Sequence, residues 1–401
     1  MVKRDRWDSS SSEDEDSSKN KRKPKTTAAA ATTTAVPVSS DSNNTLGIPI
    51  KSKIPEIKLP PLHNPLVQGC RSVYDTYDRI ARLSEGTYGI VWKAKDLATG
   101  EVVALKQIKF EDQQQLLQVQ GFPVTAFREI NVLMALSSHE NIVSVKEMVV
   151  GSGTDKVFMV MEFFHKDLQE AMKERKYPNV LRQAELKGAM QQILRGMEYM
   201  HSKWFMHRDM KTSNILVHKT AGRVALCDFG LARSFRDPPS RNLTQLVVTL
   251  HYRAPELLFG ETRYTPAVDI WSIGCIFGEL IQQEAIMQGH GELDQIDKIF
   301  TMLGAPSEEN WPEFSTLPNA KIFRWRSTET QEGRRIRLHE IFPINPPPHF
   351  QQTFLDANGR DLLCKLLTLD PKKRITAKEA LEHKYFKEGV MPMNPNFFED
   401  N

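Results

Sequence analysis

Five stretches of this chain carry residue types suited to handling phosphate. Ser84-Glu85-Gly86-Thr87-Tyr88-Gly89 is a glycine-bearing turn between two strand-like runs. Glycine lets backbone N–H groups come close to phosphate oxygens, where a Cβ would obstruct them. Lys106 follows in VALK, a cation inside an apolar run. HRDMKTSN at 207–214 sets a carboxylate, an ammonium and an amide within six residues, as Asp209, Lys211 and Asn214. Asp228-Phe229-Gly230 adds a second carboxylate, and Ala254-Pro255-Glu256 closes the series. Each signal is weak alone, because many strand turns hold two glycines and a lone lysine in a strand is usually on the surface. Together and in this order they are a signature with negligible chance of coincidence.

These residues need elements to hold them. The runs YDRIARLSEGTYGIVWKAKD and VVALKQIKF read as alternating strands around the glycine turn. PVTAFREINVLMAL reads as a helix with proline at its start. IVSVKEMVV and KVFMVMEF read as further strands, and ELKGAMQQILRGMEYMHSK has helical periodicity. The rest, to about residue 386, reads as mostly helical with long loops near 234–249 and 305–350. A strand-rich part followed by a helix-rich part predicts an α+β fold in two lobes. The expected divisions are a tail over 1–66, a small lobe over 67–164, a large lobe over 165–386 and a C-terminal tail over 387–401.

Composition narrows the classes. Of 401 residues, 40% are hydrophobic and 26% charged, enough for a sizeable core. The net charge of +3 supplies no field for nucleic acid or membrane, so neither is expected as a direct partner. No uncharged apolar run reaches the ~18 residues of a membrane helix. Four cysteines, with no CxxC pair, fit a reducing compartment better than a disulfide framework. Residues 1–66 hold SSSSEDEDSS, KNKRKPK and TTAAAATTTA with Trp7 as the one aromatic, a composition that predicts disorder. Lys21, Arg22, Lys23 and Lys25 form a basic cluster suited to a nuclear import receptor. It places the expected site of action in the nucleus, with the cytoplasm second.

Over about 74–386 the chain resembles a eukaryotic protein kinase of the cyclin-dependent branch. PVTAFRE at 123–129 is similar to the PITSLRE and PISSLRE helices of that branch, as are QGCRSV at 68–73 and DPKKRITAKEALEHKYFKE at 370–388. The resemblance implies ATP and Mg²⁺ as cofactors. It gives Lys106 to the α/β-phosphates with Glu129 as its partner. Asp228 and Asn214 are implied as metal ligands, Asp209 as acceptor of the substrate hydroxyl proton, and Lys211 as a cation reaching the γ-phosphate. Leu83, Gly86, Gly89, Val91, Ala104 and Leu216 are implied around the nucleotide, with Met161 as gatekeeper. Glu162 and Phe164 are implied as donors of hinge backbone groups, and Asp167 as a ribose contact. Cys227, next to Asp228, is read either as lining the back of that pocket or as a buried inert thiol.

Regulation is read the same way. Glu129, Leu133 and Leu136 share one helix face. Phe127 lies ~200° around from Glu129, and Phe127, Ile130 and Met134 form a second apolar stripe. That stripe suggests a partner surface, and the resemblance makes the partner a cyclin, of the L type. Thr244 occupies the family's phosphorylated position, with Arg128, Arg208 and Arg233 as the matching arginines. Thr249 is expected to contact Asp209. Val248 and Arg253 resemble the pair that favours proline after the target Ser/Thr, so protein substrates with Ser/Thr-Pro sites are expected. Modification of Thr87 or Tyr88 is expected to repel ATP. Glu256 and Arg374 resemble the buried ion pair of the large lobe, and Asp269 the brace of the catalytic loop.

The chain departs from the pattern at Ser84, where the first loop glycine stands in the family, and at His251, which replaces tryptophan. The Gln-rich 111–120 is longer than expected. Two other readings are a scaffold that binds a cyclin without catalysis and a mitogen-activated-type kinase. Retention of Lys106, Asp209 and Asp228 argues against the first, and Gln245-Leu246 after Thr244, in place of a TxY, against the second. The subgroup resemblance implies work on transcription, pre-mRNA processing or the cell cycle.

Overall fold

The computed structural model describes residues 69–398, apart from 87–88, 109–123, 137, 152–155, 175–180, 220–221, 237–241, 245–246, 322–337 and 345–354. The basic cluster of the 1–66 tail, Thr87, Tyr88 and the Gln-rich 111–120 lie outside the described residues.

Strands in the first part are rich in β-branched and apolar residues, and they pair into one six-stranded sheet. The strands are β1 (Arg71–Ser72), β2 (Tyr77–Gly86), β3 (Gly89–Asp96), β4 (Val102–Ile108), β5 (Val145–Val150) and β6 (Val157–Glu162), in the order β1-β5-β6-β4-β3-β2. β1 runs parallel to β5; the other pairs are antiparallel. β4 is internal, so Lys106 lies between Val91 on β3 and Met159 on β6. Its neighbours Val103, Ala104 and Leu105 are buried.

The helix Val124–Leu136 meets this sheet through Glu129, which pairs with Lys106, and Ile130, Val132, Leu133 and Leu136 are buried with it. Phe127 and Met134 stay exposed, at 48% and 69%. Here the structure corrects the expected stripe: Ile130 is 9% exposed and belongs to the core. At about 100° per residue, Ile130 sits at the edge of the arc centred near Leu133, and that arc is wide enough to swallow it.

The large lobe is built on two long helices, Gln183–Ser202 and Ala267–Gln282. Every residue from Val268 to Ile281 is buried, so the second helix is central and takes Asp269, Ser272 and Glu279 into the interior with it. Short strands finish the lobe: β7 (Lys166–Asp167), β9 (Ile215–Val217) and β10 (Val224–Leu226) form one sheet, while β8 (Phe205–Met206) pairs with β11 (Arg233–Ser234). The result is the α+β arrangement in two lobes, joined by the crossing from β6 to β7. The C-terminal segment then runs back along the helix Gln183–Ser202. Met393 N–H donates to the Ala184 carbonyl at 2.9 Å and Asn396 N–H to Glu185 Oε1 at 3.2 Å. Phe397 is buried and the Phe398 ring reaches His165, 5.7 Å between centroids. The fully buried Lys187 ammonium donates to the Glu388 carbonyl at 3.0 Å and lies 4.5 Å over the Tyr385 ring.

Candidate active site

The site is assembled where the two lobes face one another. Gly89 has φ +151°, and a Cβ there would lie 2.1 Å from the Gln107 carbonyl, so the glycine turn needs glycine at this position. Lys106 Nζ stands 2.6 Å from Glu129 Oε1 and 3.8 Å from Asp228 Oδ1. Burial pushes the Lys106 ammonium toward neutrality, but the Glu129 and Asp228 charges outweigh it and hold the group above its ordinary value. Asp228 has left-handed backbone, φ 61°, a conformation that aspartate tolerates better than most residues. Its Oδ1 is buried with no hydrogen-bond partner.

The catalytic loop is held from below. Asp269 accepts from His207 N–H at 3.0 Å, Arg208 N–H at 2.8 Å and the His201 ring at 2.9 Å. Burial alone raises a carboxyl's pKa, yet the hydrogen bonds from the His201 ring and the loop backbone keep Asp269 below its ordinary value. Asp209 projects from the braced loop. Its Oδ2 accepts from Lys211 Nζ at 2.8 Å and Asn214 Nδ2 at 3.1 Å; its Oδ1 accepts from Thr249 Oγ1 at 3.1 Å. Against the upward push of burial, Lys211, His207 and Thr249 keep this carboxyl ionised, below its ordinary value.

The residues expected around the base lie on the adjoining strands. Ala104 is buried opposite Met161, Val91 is paired with Lys106, and Leu216 pairs with Asp167 and Ala225. Leu83, on β2, is 44% exposed. Gly86 faces Gly89 across the turn. Asp167 Oδ1 accepts the Glu170 N–H at 2.8 Å and so caps the helix Leu168–Glu174. Glu162 and Phe164 lie on the crossing between lobes, Phe164 with its ring buried. Burial and the neighbouring Asp228 push the Cys227 thiol up, which fits the inert reading.

The activation segment supplies the rest. Thr244 is exposed, and its carbonyl accepts from the Tyr264 hydroxyl at 2.8 Å. The same hydroxyl accepts from Arg208 Nη1 at 2.8 Å. Arg208 also depresses the basicity of Arg128, after burial, and Arg233 acts on Tyr264. Arg208 thus reaches the Tyr264–Thr244 corner through a direct hydrogen bond. Val248 is left-handed, φ 67°, and its carbonyl accepts from Arg253 Nε at 3.3 Å and Nη2 at 3.0 Å. His251 Nε2 lies 3.3 Å from the Gly289 carbonyl.

Several supporting residues were missed. Glu279 accepts from Tyr252 at 2.7 Å and Thr212 at 3.1 Å, tying the catalytic loop to the end of the activation segment. A cavity of about 450 Å³ opens beside Lys211, Thr249 and His251. Glu279 lies inside an apolar helix, and a buried charge there was the available signal. Tyr264 had none. Among the described residues no helix is long and apolar enough to cross a membrane.

Comparison with known proteins agrees with this geometry. The family described as the protein kinase domain matches residues 77–386. Cyclin-dependent kinase G-2 of Oryza sativa subsp. indica is 44% identical over 349 residues, 86% of this chain and 46% of that one. Cyclin-dependent kinase 11A of Homo sapiens is 42% identical over 358 residues, 89% of this chain and 42% of that one. The chain therefore spans about half the length of these curated relatives. Cyclin-dependent kinase 11 of Dictyostelium discoideum is 44% identical over 326 residues, 81% of this chain and 84% of that one. The intact Lys106–Glu129 pair, the braced Asp209 and these matches together establish that the chain belongs to the protein kinase family, on its cyclin-dependent branch.

Proposed function

We propose that this chain transfers the γ-phosphoryl group of ATP to Ser or Thr followed by proline in nuclear proteins, with Mg²⁺, and that a cyclin and phosphorylation of Thr244 activate it. The observation that carries the reading is Asp209: an ionised carboxylate braced by Asp269 and flanked by Lys211, Asn214 and Thr249. The buried, orphaned Asp228 Oδ1 beside Lys106 is what a metal–phosphate site requires. Asp228 and Asn214 would hold the metal, and Lys106 the α/β-phosphates. When bound, the metal neutralises charge on the transferring group. Asp209 orients the substrate hydroxyl and takes its proton, and Lys211 offsets negative charge on the oxygens nearby.

Proline preference follows from Val248. Arg253 occupies its carbonyl, so a peptide N–H at the next substrate position finds no acceptor there. Proline has no N–H to leave unpaired. The exposed Phe127 and Met134 support docking of a cyclin, of the L type, on that face. The Lys106–Glu129 pair is already closed, so the partner's role is to hold the helix rather than to make the pair. The basic cluster at 21–25 supports nuclear import, and the subgroup supports work on transcription, pre-mRNA processing or the cell cycle.

The test is label transfer from γ-labelled ATP by the full chain co-purified with an L-type cyclin. A Ser-Pro peptide is expected to take label, its Ser-Ala counterpart far less, and Asp209→Asn is expected to abolish transfer. Equal labelling by the Asp209→Asn chain would sink the proposal.

A further inference from the structure

Arg223 stands one residue before β10, on the large-lobe hairpin, and reaches across to the crossing between lobes. Nη1 donates to Glu162 Oε2 at 2.7 Å and Nη2 to Glu162 Oε1 at 2.9 Å. Nε donates to the Glu140 carbonyl at 2.6 Å. The guanidinium carbon lies 5.2 Å from the centroid of the Phe164 ring. One side chain from the large lobe thus grips the last residue of β6, the turn behind the helix Val124–Leu136 and the aromatic ring of the crossing. Glu162 is held from a second side, because Ser144 N–H donates to its Oε1 at 3.0 Å.

We infer that Arg223 is a positioning residue for nucleotide binding. It sets the direction in which Glu162 and Phe164 present their backbone groups to the purine base. The inference rests on the proposed ATP-binding function. Its basis is geometric. A carboxylate held by two parallel N–H donors cannot rotate freely, so the Cα–Cβ bond of Glu162, and with it the adjoining carbonyl, is fixed. The planar fork also lies against Phe164, which a lysine ammonium cannot imitate. The side chains of Arg223 and Glu162 are 30% and 19% exposed, so the pair is only partly screened by water. Arg223 touches no reacting atom; it acts through two residues that do the presenting.

The test is calorimetric titration of the full chain with Mg-ATP and Mg-ADP, using wild type, Arg223→Met, Arg223→Lys, Glu162→Gln and the double variant Arg223→Met with Glu162→Gln. Arg223→Met and Glu162→Gln are each expected to weaken both nucleotides by the same factor, about three- to tenfold, the loss that goes with a partly exposed charge-assisted pair. The double variant is expected to bind no worse than the weaker single one. Arg223→Lys, which keeps charge without the fork, is expected to fall between wild type and Arg223→Met. In transfer assays KM for ATP rises while KM for the peptide stays, a split that a merely structural role does not produce. If Arg223→Met does not fold, Arg223→Lys and Glu162→Gln carry the test. Wild-type affinity in the Arg223 and Glu162 variants, or a lower melting temperature with unchanged nucleotide affinity, overturns the inference and leaves the proposed function standing. Failure of the wild-type chain to bind either nucleotide overturns both.

Discussion

Arg374 and Glu256, 118 positions apart, meet as a two-pronged ion pair of 2.7 and 3.0 Å with side chains 0% and 2% exposed. Arg374 also donates to the carbonyls of Thr368, Leu369 and Ala267, so its five N–H donors are all met by protein acceptors. Removing one partner leaves the other charged and dry. Arg374→Leu is therefore expected to destabilise the chain by about 3–5 kcal/mol, measured by denaturant unfolding. A loss below about 1 kcal/mol would contradict this.

Thr249 gives Asp209 both a hydroxyl and an N–H. Thr249→Val keeps the N–H and the shape, and is expected to lower kcat about tenfold, as for one bond to a charged group. Lys211→Met removes the cation and is expected to cost about 10²- to 10³-fold. Single-turnover rates at saturating peptide measure both.

Phosphate on Thr244 brings about −1.5 to −2 charges to a corner where Arg208 already bonds Tyr264, and where Arg128 and Arg233 are expected to join it. Thr244→Ala is expected to lower kcat/KM by about 5- to 150-fold, the span of ordinary coupling energies. Phosphatase treatment of wild type should give the same figure, and full activity after either would refute the switch.

Phe127 and Ile130 lie three positions apart in opposite surroundings. Phe127→Ala is expected to leave stability within about 0.5 kcal/mol but to weaken cyclin binding about 30-fold. Ile130→Ala is expected to cost about 2–5 kcal/mol of stability through a cavity. Thermal melting alongside pull-down with the cyclin separates the two outcomes.

Asp269 sets a pH expectation. Its carboxyl lies below the ordinary 3.8 in the native chain, so its contribution is fully present above that value. As pH falls through 3.8 and below, the native carboxylate must be protonated and the contribution is lost. Asp269→Asn is expected to lower stability at pH 7 and to flatten its fall below about pH 4. A parallel fall in both proteins would show that Asp269 does not drive it.

The catalytic residues were legible because phosphate and metal chemistry admits few residue types, and these stand in a fixed order: Lys106, Asp209, Asn214, Asp228. The lobes were legible from periodicity. Ile130 was misjudged because periodicity gives angles around a helix but not the width of the buried arc. Arg223 and Tyr264 were invisible because their roles depend on where a hairpin turn and an activation segment come to rest in three dimensions. The left-handed Val248 could not be read from a β-branched residue that avoids this conformation; in the fold its carbonyl is held by Arg253.

The buried ammonium of Lys187 has a consequence for biosynthesis. Its acceptor, the Glu388 carbonyl, is made 201 residues later, and Asn394 follows its partner Gln192 by 202. At ordinary elongation rates of about 5–20 residues per second, that is about 10–40 s during which the helix on the ribosome lacks its cover. Nascent chains stalled between these two points will stay protease-sensitive around Lys187, and sensitivity will vanish once residues 388–398 emerge.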